Sequence, residues 1–175
     1  MIYGQRKQYD SSLYCFGRAL QYDSNNASIY NNRGITYANL GKFDLALKDF
    51  TKAYSMDTTQ DAILAIRASI LLRLERYNEA LVDYNKLISK NPKEPSYYLS
   101  CGSAYLNAGN FEMAIKNYLH LLDLQPNNGE CMYYLSLAYD KQSDEKDAFS
   151  YALKANQNKF QVPGDYLNRL QKAPH

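Results

Sequence analysis

Residues 95–128 read PSYYLSCGSAYLNAGNFEMAIKNYLHLLDLQPNN. Two stripes at helical spacing run through this stretch: Tyr98, Cys101, Gly102 and Tyr105 share one face, and Phe111, Ala114 and Tyr118 share another. Between them stands Ala108-Gly109-Asn110, a short break of the kind that reverses direction between antiparallel helices. Pro126 ends the second run, because proline lacks an amide donor and restricts the residue before it. The stretch therefore predicts a helical hairpin.

Sliding the chain along itself until Leu64 lies over Tyr30 shows that the hairpin recurs with a constant period. Tyr30, Leu64, Tyr98 and Met132 fall into one column, and Tyr37, Leu71, Tyr105 and Tyr139 into a second. Phe43, Tyr77 and Phe111 form a third, Phe50, Tyr84 and Tyr118 a fourth, and Pro92 aligns with Pro126. Two further columns hold small residues: Gly34, Ala68, Gly102 and Ser136 in the first helices, and Ala46, Ala80, Ala114 and Ala148 in the second. Glycine inside a helix costs about 1 kcal/mol relative to alanine, so it needs a packing reason. The reading here is that the small residues of the two helices face each other across each hairpin, with the aromatic rings filling the space between successive hairpins.

With Tyr98-x-x-Cys101-Gly102-x-x-Tyr105, then Ala114-x-x-x-Tyr118 and Pro126, the sequence resembles the tetratricopeptide repeat family. The resemblance implies an all-α fold, a right-handed superhelical solenoid of antiparallel helical hairpins. It spans full units at 27–60, 61–94 and 95–128, with a degenerate fourth at 129–156. Residues 1–26 are expected to be a partial first repeat, in which Tyr3, Tyr9, Leu13, Phe16 and Ala19 fit the later part of a unit whose first helix would be cut by Met1. In the fourth unit Ser143, Asp144 and Glu145 replace the usual turn and Ala152 replaces an aromatic, so less apolar surface awaits a following repeat. Residues 157–175 then read as a tail whose segment Asp165 to Lys172, with Tyr166, Leu167 and Leu170 on one side, forms a short capping helix. All of this is expected to be one solenoid domain.

Composition narrows the function. The 20 basic and 18 acidic residues nearly cancel and form no runs, which argues against nucleic acid and anionic lipid as partners. The most apolar segment, Ala62 to Leu74, is broken by Arg67 and Arg73 and is shorter than the roughly 20 residues a membrane span needs. No signal peptide is visible near Met1, and Cys15, Cys101 and Cys131 are odd in number with no CxxC spacing. Free thiols in a reducing cytoplasm are the expectation. The chain holds two histidines, His120 and His175, and contains no HExxH, phosphate loop or GxSxG. Neither metal, cofactor nor catalytic machinery is expected.

In the family that this sequence resembles, the first helices line a concave groove that receives a peptide or a helix of a partner. Spacing places Asn31, Ile35, Ala38, Ala65, Ser69, Leu72, Leu99, Ser103, Leu106, Asn107 and Tyr133 on that surface, with Asn39 and Arg73 at its rim. A protein-interaction scaffold or adaptor follows, with a protein or peptide ligand. Some members grip acidic chaperone tails through a clamp for two carboxylates; here only Asn32 matches, and Asn31, Ser96 and Ser100 stand where cations should be. Three other readings remain at this point. The array is the regulatory arm of a larger enzyme whose catalytic domain is not in this chain; it stacks nucleic-acid bases on exposed Tyr133 and Tyr134; or it self-associates weakly through Tyr3, Tyr9 and Phe16 of the incomplete first repeat.

Overall fold

The computed structural model describes residues 2–172, with side chains from residue 8 onward. Among the described residues it contains ten α-helices and no strand: α1 (Ile2–Tyr22), α2 (Ala27–Asn39), α3 (Phe43–Met56), α4 (Asp61–Arg73), α5 (Tyr77–Lys90), α6 (Pro95–Asn107), α7 (Phe111–Leu124), α8 (Gly129–Lys141), α9 (Glu145–Gln157) and α10 (Gly164–Gln171). The chain forms two compact units, Met1–Asp83 and Tyr84–His175, with the boundary inside α5.

Every hairpin turns in the same way. Gly41, Glu75, Gly109 and Ser143 occupy one column of the repeat, and all four have positive φ, at 71°, 58°, 80° and 63°. The amide of the following residue reaches five residues back, as in Lys42 N to Tyr37 O at 2.9 Å and Asn110 N to Tyr105 O at 2.9 Å. Gly41 N and Gly109 N bond to Ala38 O and Leu106 O at 2.9 and 3.1 Å, completing a Schellman closure that satisfies the last carbonyls of the first helix. Glycine suits the left-handed position, whereas a residue with a β-carbon is strained there by about 1–2 kcal/mol. Part of that gain is lost to the freedom glycine adds to the unfolded chain. Glu75→Gly is therefore expected to stabilise the protein by about 0.5–1 kcal/mol, a rise in Tm of roughly 2 °C by calorimetry.

The first helices α2, α6 and α8 start where a polar side chain caps them, whereas Gln60 before α4 makes no such bond. Asn26 accepts from Ser28 N at 3.1 Å, Asn128 accepts from Cys131 N at 2.9 Å, and Glu94 caps α6 just before Pro95. The aromatic column adds a second anchor: Tyr30 donates to Ser24 O at 3.3 Å and Tyr98 to Pro92 O at 2.9 Å, tying each helix to the loop that precedes it.

In the first unit, α2 packs against α1 and α3, and α3 against α4. A β-carbon built on Gly34 would lie 3.0 Å from Cε1 of Phe50. In the second unit one on Gly102 would lie 2.8 Å from Cδ1 of Tyr118 and closer still to Cε1. The reading that the rings only fill the space between successive hairpins is corrected: the atoms nearest Gly34 and Gly102 belong to the aromatic ring of the same hairpin's second helix, Phe50 and Tyr118. Ala46 and Ala114 are fully buried all the same. At Gly34 and Gly102 the ring stands closer than a β-carbon would allow, so in these two repeats the glycine and the ring form one packing device.

A second device was not anticipated from spacing. Arg33 makes a two-pronged ion pair with Asp49, both contacts at 2.7 Å, and Arg67 repeats it one period later with Asp83 at 2.8 and 2.5 Å. Asp49 and Asp83 are buried, while both arginines stay partly open to water. The carboxylate beside it holds each guanidinium even further above its usual range.

The N-terminal helix also departs from expectation. Residues 6–8 align with the turn at Leu40-Gly41-Lys42, yet α1 runs through them without a break. Arg6, Lys7 and Gln8 are all good helix formers, with no glycine to open a left-handed turn. Tyr3, one of the residues expected to sit uncovered, lies outside the described side chains; Tyr9 and Phe16 are half-buried.

In the second unit, α7 packs against α6 and α8, and α9 against α8 and α10. Helix α10 continues the repeat: Tyr166 and Leu170 stand one period after Met132 and Ser136. Tyr166 shares a 2.8 Å hydrogen bond with the Ser136 hydroxyl, Arg169 pairs with Asp140 at 2.6 Å, and Leu170 is fully buried. In this column, where the earlier repeats hold Gly34, Ala68, Gly102 and Ser136, α10 carries a leucine that is itself packed in the core.

Candidate functional site

Within the first unit, Ala38, Ala65 and Ser69 come together in one open depression of about 460 Å³, completed by Asn39, Phe43, Ile66, Ile70 and Arg73. The helical spacing explains the grouping: Ala65, Ser69 and Arg73 succeed one another at i, i+4 along α4, and Ala38 lies on α2 beside the start of α3. Ala38, Ala65, Ile66 and Ile70 supply half of the lining residues, and the lining contains no carboxylate. Arg73 lies over the face of Phe43, its guanidinium carbon 5.4 Å from the ring centroid.

The other residues expected on this surface of the first unit are half-buried. Ile35 and Leu72 are of this kind, as is Asn31, whose side-chain oxygen is buried without a hydrogen-bond partner. Leu72 and Ile35 do not line the depression.

In the second unit the expected residues behave differently. Leu99 and Leu106 are half-buried and pack on the core around Tyr118, Leu121 and Leu135. Leu99 also borders a smaller depression of about 230 Å³ with Ser96, Leu121 and Gln125. Ser103 shares a 3.2 Å hydrogen bond with the Tyr118 hydroxyl, and exposed Asn107 donates to Ser103 O at 2.9 Å. Tyr133 is covered by the chain itself, stacked on Phe160 with ring centroids 5.0 Å apart and edge-on to Tyr166 at 6.0 Å. Tyr134 continues the series onto Tyr118 at 6.0 Å. The two tyrosines expected to be free platforms for bases are therefore half-buried members of an aromatic cluster.

Among the described residues no group of three His, Cys, Asp or Glu side chains could hold a metal ion, and no helix is long and apolar enough to cross a membrane. Cys101 and Cys131 are buried, and burial pushes both thiols up to about 12 from the ordinary 9.0. Cys131 donates to Tyr118 O at 3.2 Å, and both behave as small core groups. Cys15 is exposed. A disulfide reagent at pH 8 is expected to titrate one thiol per chain in the native protein and three in urea. Because the folded pKa values are raised, this contribution to stability is complete below the unfolded value near 9 and is lost as pH rises toward about 12. Urea midpoints should fall over that window, and fall less in Cys101→Ala.

A capped helical hairpin repeated at one fixed interval, with glycine under an aromatic ring, defines a helical repeat protein. Profiles described as TPR repeat match residues 2–41 and 68–109, and profiles described as tetratricopeptide repeat match 27–57 and 95–128. The chain belongs to the tetratricopeptide repeat family. Among solved structures it is similar to MamA, with 22% identity over 89% of this chain and 91% of that one and a TM-score of 0.79. Residues 41 to the end of MamA from Desulfovibrio magneticus RS-1 match at 21% identity over 97% and 90%, with a TM-score of 0.78. YrrB, described as a TPR protein with an unusual peptide-binding site, matches at 18% identity over 98% and 88%, with a TM-score of 0.82. At these identities the likeness shows the fold: a solenoid of antiparallel helical hairpins. A search of curated proteins gave no match.

Proposed function

We propose that this chain is a non-catalytic protein-interaction scaffold or adaptor that holds a peptide or a helix of a partner against its first helices. The observation that carries the reading is the depression of the first unit, where Ala38, Ala65 and Ser69, placed on the ligand surface by spacing, meet beside Phe43 and Arg73. An apolar lining interrupted by a few polar groups is what a peptide side chain and the adjoining backbone require. YrrB, whose fold is similar, is described as having a peptide-binding site. The thiols of Cys101 and Cys131, protonated far above neutral pH, have no part in this function beyond packing.

The test is a titration. Peptides selected on the immobilised chain from a displayed random library are measured against wild type, Ser69→Trp and Val82→Trp. Ser69→Trp fills the depression without adding charge, whereas Val82 is exposed elsewhere in the same unit. Ser69→Trp is expected to weaken binding at least about tenfold with an unchanged melting curve, and Val82→Trp to leave affinity as it was. Equal affinities in all three chains would contradict the reading. Leu99 and Leu106 are poor sites for such a test, because both pack on the core and a charge there would unfold what it is meant to probe.

A further inference from the structure

Six arginines have described side chains, and five of them are engaged. Arg33, Arg67, Arg76 and Arg169 pair with Asp49, Asp83, Glu79 and Asp140, and Arg18 donates to the Tyr22 hydroxyl at 3.3 Å. Arg73 differs: among the described residues it has no hydrogen bond and no ion pair, only the ring of Phe43 beneath it. That ring holds the guanidinium in the lining of the depression and leaves its five donors, set in a fixed fork, for an acceptor from outside. Asn39 stands in the same lining, exposed and with no side-chain hydrogen bond among the described residues.

We infer that the depression selects a peptide segment in which an aliphatic side chain, seated among Ala38, Ala65 and Ile70, is closely followed by a carboxylate that meets Arg73. The inference rests on the peptide-binding reading above and adds the chemistry of the guest. The charge argument is one of complementarity: a cation without a counter-ion, in a lining without a carboxylate, accepts an anion at no loss of an existing pair. A guanidinium and a carboxylate also match in shape, since two parallel N–H donors meet two oxygens. One arginine serves one carboxylate, and this arrangement is distinct from a clamp for two.

The experiment uses synthetic fluorescein-labelled octapeptides with Leu-Asp or Leu-Glu at the centre, each paired with its Leu-Asn or Leu-Gln isostere, titrated by anisotropy. The best acidic peptides are expected to bind wild type roughly tenfold more tightly than their amide isosteres. In Arg73→Gln the preference should fall to within about twofold while amide affinities stay unchanged, and in Ser69→Trp both members of each pair should weaken. Peptides that bind and respond to Ser69→Trp, but without a preference for the acid or with one that survives Arg73→Gln, would overturn this inference and leave peptide binding standing. No binding by any peptide, or binding indifferent to Ser69→Trp, would overturn both.

Discussion

Gly102→Val is expected to destabilise the chain by about 3 kcal/mol, at the upper end of what overpacking a core costs, read as a shift of the urea midpoint with an unchanged slope. A β-carbon alone at this position would stand 2.8 Å from Cδ1 of Tyr118 and closer still to Cε1, and the tyrosine is fully buried with no room to retreat. Its hydroxyl is held by Ser103, so tilting the ring also breaks a hydrogen bond. Gly34 should be more forgiving, because Phe50 lies 3.0 Å from the equivalent point and carries no hydroxyl. A double variant tests the cause. In a Tyr118→Ala background, itself about 3–5 kcal/mol less stable, the added penalty of Gly102→Val should nearly vanish. The fourth repeat carries such a paired change already, with Ser136 in the glycine's column and Ala152 in the ring's. A stable Gly102→Val chain would refute the packing device.

Asp49→Ala is the second large effect. Removing this buried carboxylate strands the guanidinium of Arg33, which has given up most of its water for two 2.7 Å contacts. Breaking a fully buried pair costs about 3–5 kcal/mol; Arg33 remains 22% exposed, which lowers the expectation to roughly 2–3 kcal/mol. Replacing both partners by apolar residues, as in Arg33→Met with Asp49→Leu, should recover most of that loss. The double-mutant cycle reads the difference directly. If Asp49→Ala and the double variant were equally unstable, the pair would be ordinary packing and its charge incidental.

The fold was legible because its signal repeats. A single stripe of Tyr98, Gly102 and Tyr105 is ambiguous, but the same stripe at Tyr30, Gly34 and Tyr37 is not, and α2, α4, α6 and α8 begin at equal intervals, at Ala27, Asp61, Pro95 and Gly129. What periodicity cannot supply is the partner across a hairpin. It assigns Gly102 and Ala114 to faces, yet the neighbour of Gly102 is Tyr118, one turn further along α7. The ion pairs could have been found, since Arg33 and Asp49 recur as Arg67 and Asp83 at the same sequence separation. Arg33 and Arg67 stand in the column of Cys101, a position that helical spacing assigns to the packed face, and this hid their carboxylates. The ligand surface was the least legible part. Spacing put Tyr133 and Ala65 in one column, but Phe160 and Tyr166 cover the first and the second lines a depression. Which of these residues are free depends on what the chain's own C-terminal segment covers, and column statistics carry no record of that.

Site-directed photocrosslinking tests most directly whether the depression of the first unit holds the guest. In a Cys15→Ser background the buried thiols of Cys101 and Cys131 stay silent, so a benzophenone maleimide can be placed on a single cysteine at exposed position 39, beside the depression, or at position 82. Irradiation with a peptide selected on the wild-type chain is predicted to give an adduct from position 39 and none above background from position 82. An adduct from position 82 alone, or equal yields from both, would contradict the account.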